Sequence, residues 1–565
     1  MIALINTPHP QGSGLVQAAT YSRSSVFDMT TYDADRRVWS GPRSQPLFDP
    51  RRSLGDVVME LLSRNTDKPV LIDGDSGRVL TRGDVRSRAV RIAQNLRDKF
   101  DLNSGTDEIV TVAALANENL VPLLVALQFL AVPYNALYPQ YSEEEMGHMM
   151  RQTQSRLIFC DSENYSVVKE AAGKAINQDV VFFIMNEDIE GTRSVLELLD
   201  ETGIEDEFVP VEVEDTTKAV WSIFCSSGTT GVPKGICLSH ANRTSSYVPQ
   251  PLSNLRILSL GSIHWISVAY SYDMALFYDS VLIFTRKPFS AELFFDLMDK
   301  YRFNAINGQP LYATSVTNHP LAKSADLSSM ALWGIGGYFV SDSVRDAVDA
   351  ILPNGKSYTI YANSECGLIA MDVFQRKRGA VGTVSSNMEI RVVDDDGNLL
   401  EVGESGELLF KRSTPFLGYL NNEGATKAAL DEDGWFRSGD TGYFDEEGFL
   451  YLGERKSEVF KYIDHVPPML LEGIIAQIEG VERVCVIGLP LEDKSGELPT
   501  AVVVKKEGST LSGDEIAEYV AERVRDHMKL RGGVHFVDEL PLTSKGSVKR
   551  KEVKKNILDK INLLH

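Results

Sequence analysis

SIFCSSGTTGVPKGICLSH, residues Ser222–His240, reads as an apolar strand that runs into a loop of serine, threonine and glycine with one lysine, and then into a helix. Such a loop suits a polyphosphate. Gly228 and Gly231 let backbone amides turn inward, the hydroxyls of Ser226, Ser227, Thr229 and Thr230 donate to phosphate oxygens, and Lys234 adds positive charge. The spacing departs from GxxxxGK followed by Ser or Thr, so this is not a Walker A loop. An ordinary surface turn has similar composition; of the two readings, phosphate binding is preferred.

Outward from this loop, short β-branched runs alternate with longer amphipathic stretches. Leu157–Cys160, Val180–Met185 and Val220–Cys225 are predicted strands, and their rhythm argues for α/β layers. After about Ser385 the texture changes to short strands with tight turns, and Asp395, Asp396 and Gly397 mark a hairpin. From Arg455 onward a helix (Met469–Ile478), two strands (Val484–Gly488 and Thr500–Lys505) and a second helix (Gly513–Met528) form an α+β unit. The expected architecture is multidomain, α/β and α+β. A large N-terminal domain of layered α/β sheets covers 1–454, with an antiparallel β subdomain at about 385–454, and a small mobile α+β domain covers 455–565.

With 565 residues, 43% hydrophobic, the chain can bury a large core. Its net charge of -22 opposes the basic footprint of a nucleic-acid binder or of a protein drawn to anionic lipid. The five cysteines contain no CxxC pair, so neither a zinc site nor a disulfide framework is expected. Leu120–Leu137, the most apolar run, is interrupted by Pro122, Gln128 and Pro133 and reads as core rather than as a membrane span. MIALINTPHPQGSG lacks the basic and apolar regions of a secretory signal, and Asn-Leu-Leu-His at the end does not match Ser-Lys-Leu, so a cytoplasmic location is the default expectation.

Ser226–Gly235 resembles the phosphate-loop signature of the adenylate-forming (AMP-binding) superfamily, which includes acyl-CoA synthetases, 4-coumarate-CoA ligases and firefly luciferases. Further matches follow in the family's order: IGGYF (Ile335–Phe339), YANSECG (Tyr361–Gly367), GYLNNEGAT (Gly418–Thr426), GWFRSGD (Gly434–Asp440), GERKSEVFKY (Gly453–Tyr462) and PMLLE (Pro468–Glu472). The resemblance covers most of the chain from about Leu54. It implies that Gly336, Gly337 and Tyr338 lie along an adenine, Tyr361 against its ring and Ser364 near the α-phosphate. It further implies that Glu365 holds Mg²⁺, Asp440 accepts hydrogen bonds from the ribose hydroxyls and Arg455 closes the ribose side. The acid pocket is expected around His264, Trp265, Tyr338 and Phe339, where a lone His or Trp is equally compatible with core packing.

Two departures stand out. Family members usually end near P-x-T-x-x-G-K-x-x-R-x-E, whose lysine reaches the α-phosphate. In PLTSKGSVKRKEV, Pro541, Thr543, Gly546, Arg550 and Glu552 fit that pattern, while Ser547 stands where the lysine belongs, flanked by Lys545 and Lys549. Losing such a donor typically costs about 100- to 1000-fold in rate. At the hinge and the loop beyond it the chain has Ser457 and KYID: Lys461 is retained, but Asp464 replaces a glycine that lines the route of coenzyme A.

The resemblance therefore implies ATP- and Mg²⁺-dependent activation of a carboxylic acid, fatty or aromatic, to acyl-AMP, then transfer to coenzyme A. The catalytic candidates are Lys234, Glu365 and Lys461. The alternatives are a catalytically weakened nucleotide-binding protein, because of Ser547, and a luciferase-like oxygenase. Partners are expected to be small molecules, with no nucleic acid and no carrier domain beyond Arg550.

Overall fold

In the computed structural model, residues 30–102, 108–226, 233–250, 252–455, 460–462, 464–466, 468–491, 496–542 and 548–562 are described. Cys225 pairs with Gly235 and Phe224 with Ile236 across an antiparallel hairpin, so the glycine-rich loop leads into a strand, Gly235–Ser239, before any helix begins. This corrects the expected strand, loop, helix order. Ile236, Cys237 and Leu238 are all buried, and a segment buried on both faces is satisfied best as an inner strand. Its other edge pairs with Gly418–Tyr419. The helix follows at His240–Ser245, where the Ser239 side chain caps it by accepting from the Asn242 N–H.

The hairpin belongs to an eight-stranded sheet with the order Gly418–Tyr419, Gly235–Ser239, Val220–Cys225, Tyr134–Ala136, Val110–Ala113, Leu157–Cys160, Val181–Ile184, Arg193–Ser194. From Val220–Cys225 onward its neighbours are parallel. In a nine-stranded sheet, Lys356–Asn363, Leu332–Gly336, Ala305–Gly308, Arg256–Ser259, Val281–Phe284 and Pro69–Asp73 run parallel in that order. Parallel strands need their faces covered, and helices supply the cover. Every residue of Leu120–Phe129 is buried, as the apolar run led us to expect. That helix and Ile266–Phe277 meet Tyr134 and Trp221 of the eight-stranded sheet round one small cavity. Ile266–Phe277 also packs on Arg256–Ser259 and Val281–Phe284. Among the described residues no helix is long and apolar enough to cross a membrane, and all five cysteines are buried and outside any disulfide.

The described residues divide into two compact units, one drawn from Met1–Ile390, Phe410–Arg437 and Glu447–Leu450, the other from Arg391–Leu409, Ser438–Glu446 and Tyr451–His565. Both sheets above belong to the first. In the second, the predicted hairpin at Asp395–Gly397 is present: Val393 bridges Leu399, the Asp394 carboxylate accepts from the Asp396 and Asn398 N–H groups, and Gly397 has φ +86. Val481–Pro490 pairs antiparallel with Glu497–Lys505, which pairs parallel with Val534–Phe536. These strands are longer than their apolar centres suggested, because pairing extends into polar ends. The helix Pro468–Ile475 buries Leu471 and Ile475 in one core with Ile516 and Val520 of the helix Gly513–Ala521. The latter ends sooner than predicted, and a 3-10 turn at Asp526–Met528 follows.

Candidate functional site

The stem of the glycine-rich hairpin is locked by two bonds. The Ser226 N–H donates to the Lys234 carbonyl at 2.8 Å, and the Lys234 N–H donates to Ser226 Oγ at 3.0 Å. Ser227, Gly228, Thr229, Thr230 and Gly231 lie outside the described residues. Lys234 is half-buried, and its Nζ stands 4.9 Å from the centroid of the Tyr419 ring. The Tyr419 hydroxyl in turn donates to Glu365 Oε1 at 2.9 Å. The predicted lysine and the predicted metal carboxylate are thus brought to one tyrosine.

Glu365 sits on the turn between the antiparallel strands Lys356–Asn363 and Gly367–Met371. The turn is closed where the Cys366 N–H donates to Asn363 Oδ1 at 2.6 Å, and Gly367 takes the left-handed φ of +70 there. Arg412 Nη1 donates to the Cys366 carbonyl at 2.8 Å, fixing the peptide beyond the carboxylate. A small pocket adjoins Glu365, lined by Cys366, Phe410, Arg412 and Phe416 among others. Burial pushes the Cys366 thiol up, with the Glu365 charge a second cause, so this cysteine is a packed apolar group and not a nucleophile.

Gly336 ends the strand Leu332–Gly336 and pairs in parallel with Ile360, which puts Gly336, Gly337 and Tyr361 at the carboxyl ends of adjacent strands. Open α/β sheets bind ligands at such ends. A Cβ on Gly336 would come within 2.5 Å of the Ile360 carbonyl, so only glycine allows this approach. Tyr338, Tyr361 and Ser364 are half-buried, and Tyr361 packs edge-on to Phe410 at 6.0 Å. Phe339 is 56% exposed, whereas His264 is buried, its ring 4.4 Å from Tyr138 and 5.6 Å from Trp265. Asp440 lies in the second unit on the strand Phe436–Phe444, its N–H donating to Ser438 Oγ at 3.0 Å. The side chains of Arg455, Lys461 and Asp464 lie outside the described residues, as do Ser457, Lys545 and Ser547.

Tyr419 and Arg412 were missed from sequence. Tyr419 stands inside GYLNNEGAT, but nothing in that stretch tells that its hydroxyl reaches a turn far back in the chain. A metal fits this donor set. Among the described residues no three His, Cys, Asp or Glu side chains converge, so a cation at Glu365 would rely on that carboxylate and on substrate oxygens. Mg²⁺ is usually held that way beside phosphates.

The first unit also holds two buried ion pairs. Arg243, on the helix after the hairpin, pairs with Asp273, which also accepts from the Tyr247 hydroxyl at 3.1 Å; its guanidinium lies 3.7 Å from the Tyr270 ring centroid. Arg345 pairs with Asp372, which accepts the Thr359 N–H at 2.6 Å on the strand leading to Tyr361. Burial raises the Asp372 carboxyl even so, with the Thr359 N–H and Arg345 opposing it.

A large unit of parallel sheets with a glycine-rich hairpin, and a second α+β unit, make up the fold of the adenylate-forming enzymes. The family model described as AMP-binding enzyme matches residues 60–420, and that of the AMP-binding enzyme C-terminal domain matches 470–547. The 4-coumarate--CoA ligase-like 9 of Arabidopsis thaliana is 28% identical over 560 residues, 95% of this chain and 97% of that protein. Luciferin 4-monooxygenase of Photinus pyralis is 30% identical over 501 residues, 85% of this chain and 89% of that protein. The solved luciferase-like enzyme from the nonluminescent Zophobas morio mealworm superposes with a TM-score of 0.69 at 26% identity, over 74% of this chain and 99% of that one. The chain belongs to the AMP-binding enzyme family.

Proposed function

We propose that this protein joins ATP to a carboxylic acid, forming an acyl adenylate and pyrophosphate, and then passes the acyl group to coenzyme A. The observation that carries the proposal is the meeting of Lys234 and Glu365 at Tyr419, beside the stem of the glycine-rich hairpin. In this reading the acid's oxygen attacks the α-phosphorus, the bond to pyrophosphate breaks, and the thiol sulfur later takes the acyl group as AMP leaves. Charge builds on phosphoryl oxygens, so positioning and cationic stabilisation carry the catalysis. Lys234 and the loop hydroxyls hold the phosphates. Gly336, Gly337, Tyr338 and Tyr361 take the adenine, Asp440 and Arg455 the ribose, and Ser364 the α-phosphate. Glu365 holds Mg²⁺, which when bound neutralises phosphate charge. His264, Trp265 and Phe339 wall the acid. Residues 455–565 act as the small domain that turns between the half-reactions and brings Lys461 to its task. The Arabidopsis relative, named as a CoA ligase-like protein, supports the acceptor.

Ser547 favours a second reading, a protein that binds nucleotide but adenylates weakly. The Photinus relative, named a monooxygenase, supports a third, in which the adenylate is oxidised; oxygen uptake with an adenylated acid would reveal it. The deciding experiment is pyrophosphate release from ATP and Mg²⁺ across a panel of fatty and aromatic acids, with and without coenzyme A, for the natural chain and Ser547→Lys. Release by the natural chain supports the ligase. Release only by Ser547→Lys supports the weakened protein, and ATP binding without release by either chain overturns the enzymatic reading.

A further inference from the structure

We propose that Tyr419 is a positioning residue that presents the Glu365 carboxylate to a divalent cation and holds Lys234 ready for phosphate, a role that rests on the ATP-dependent reading above. The two charged groups come from different sheets: Lys234 leads into a strand of the eight-stranded sheet, and Glu365 caps a turn of the nine-stranded one. Tyr419 touches both, with its hydroxyl 2.9 Å from Glu365 Oε1 and its ring centroid 4.9 Å from Lys234 Nζ.

Its own placement is over-determined. The edge pairing sets Tyr419 opposite Ile236, just past Lys234, and the Tyr419 N–H donates to Thr426 Oγ1 at 2.9 Å. Gly418 takes φ +116, and a Cβ there would come within 2.7 Å of Thr426 Cγ2. The ring packs against Phe416 at 5.3 Å. A phenol held this firmly can orient a neighbour.

The chemistry of the contacts suits the role. A carboxylate offers roughly four acceptor sites, so one phenol orients it without excluding a cation. The Tyr419 hydroxyl donates to one oxygen of that carboxylate. A half-exposed lysine on an aromatic face is held loosely and can exchange the ring for a phosphate oxygen. Partners that orient metal ligands typically affect metal affinity by about 10- to 100-fold.

The test is calorimetric titration of ATP into the full chain, with Mg²⁺ and with chelator, for the natural protein, Tyr419→Phe, Glu365→Gln and the double variant. Tyr419→Phe keeps the platform for Lys234 and loses only the hydroxyl. Its metal-free ATP affinity should stay within about twofold, while the gain in affinity on adding Mg²⁺ should shrink by about tenfold. Glu365→Gln should lose the same gain, and the double variant no more than Glu365→Gln alone, because the hydroxyl acts through that carboxylate. An unchanged Mg²⁺ gain in Tyr419→Phe overturns the proposal. So does an equal loss with and without metal, which would mark a merely structural tyrosine. If Tyr419→Phe does not fold, an undiminished gain in Glu365→Gln overturns it as well. Failure of the natural chain to bind ATP under either condition overturns the ATP reading itself, and is distinguishable because it precedes any variant.

Discussion

Lys234 and Arg243 flank the same strand, Gly235–Ser239, and each lies on a tyrosine ring, yet they live in opposite surroundings. Arg243 is 1% exposed, 3.7 Å from the Tyr270 ring centroid, and in direct contact with Asp273, itself buried. Lys234 is half-buried, 4.9 Å from the Tyr419 ring centroid, and Tyr419 in turn donates to Glu365 through its phenol. Taking a charge out of water is affordable only with a partner and good geometry, so the interior pair is closed. The charges at the hairpin remain in a medium where a ligand can compete. Equivalent parts thus build a brace in one place and a receptive site in the other.

The comparison is broken most readily at the brace. Asp273→Ala leaves Arg243 buried without its counter-charge and should cost about 3–5 kcal/mol in denaturant unfolding. The pair Arg243→Met with Asp273→Leu should recover most of that loss, because removing both charges removes the penalty. A cost below about 1 kcal/mol for Asp273→Ala would mean the pair is not closed. Lys234→Ala should do the reverse. Stability should change by less than about 1 kcal/mol, as for exposed charges, while pyrophosphate release with the best acid falls roughly 100- to 1000-fold.

His240 opens the helix that carries Arg243, and it sharpens the comparison through pH. It is buried, its Nδ1 accepts the Leu54 N–H at 3.2 Å, and burial lowers its pKa to about 4 from 6.5. Because the unfolded chain takes up the proton first, stability is complete above pH 6.5 and falls as pH drops towards 4, by about 3 kcal/mol in total. Urea midpoints between pH 7.5 and 4.5 should show this slope, and His240→Gln should flatten it. A smaller loss than at His240 is expected at Gly418→Ala, about 1–2 kcal/mol from its positive φ and the Thr426 contact. It should also weaken the Mg²⁺ gain in ATP affinity by displacing Tyr419, and unchanged binding would separate Gly418 from the site.

The reach of sequence reasoning is visible at single elements. Leu157–Cys160 and Val220–Cys225 form strands with the predicted bounds, because a short apolar run between turn formers has few other ways to be buried. Ile236–Leu238 was missed as a strand: after a glycine loop a short apolar run fits helix or strand equally, and the choice fell to the vacant edges of Val220–Cys225 and Gly418–Tyr419. The ordered motifs carried the family, since each is a run of particular residue types within a few positions. Tyr419 to Glu365 spans 54 positions and Arg243 to Asp273 spans 30, and no local pattern encodes such pairs.

By itself, then, the sequence determined the layered α/β architecture and the family, and it singled out a lysine, glycines and a carboxylate as candidates, all of which depend on residue type and short spacing. Only the tertiary structure decided that the glycine-rich loop closes a hairpin, that Tyr419 joins Lys234 to Glu365, and that Asp273 neutralises Arg243. Those outcomes depend on which sheet edges and helix faces meet, and therefore on burial and pairing summed over the whole fold.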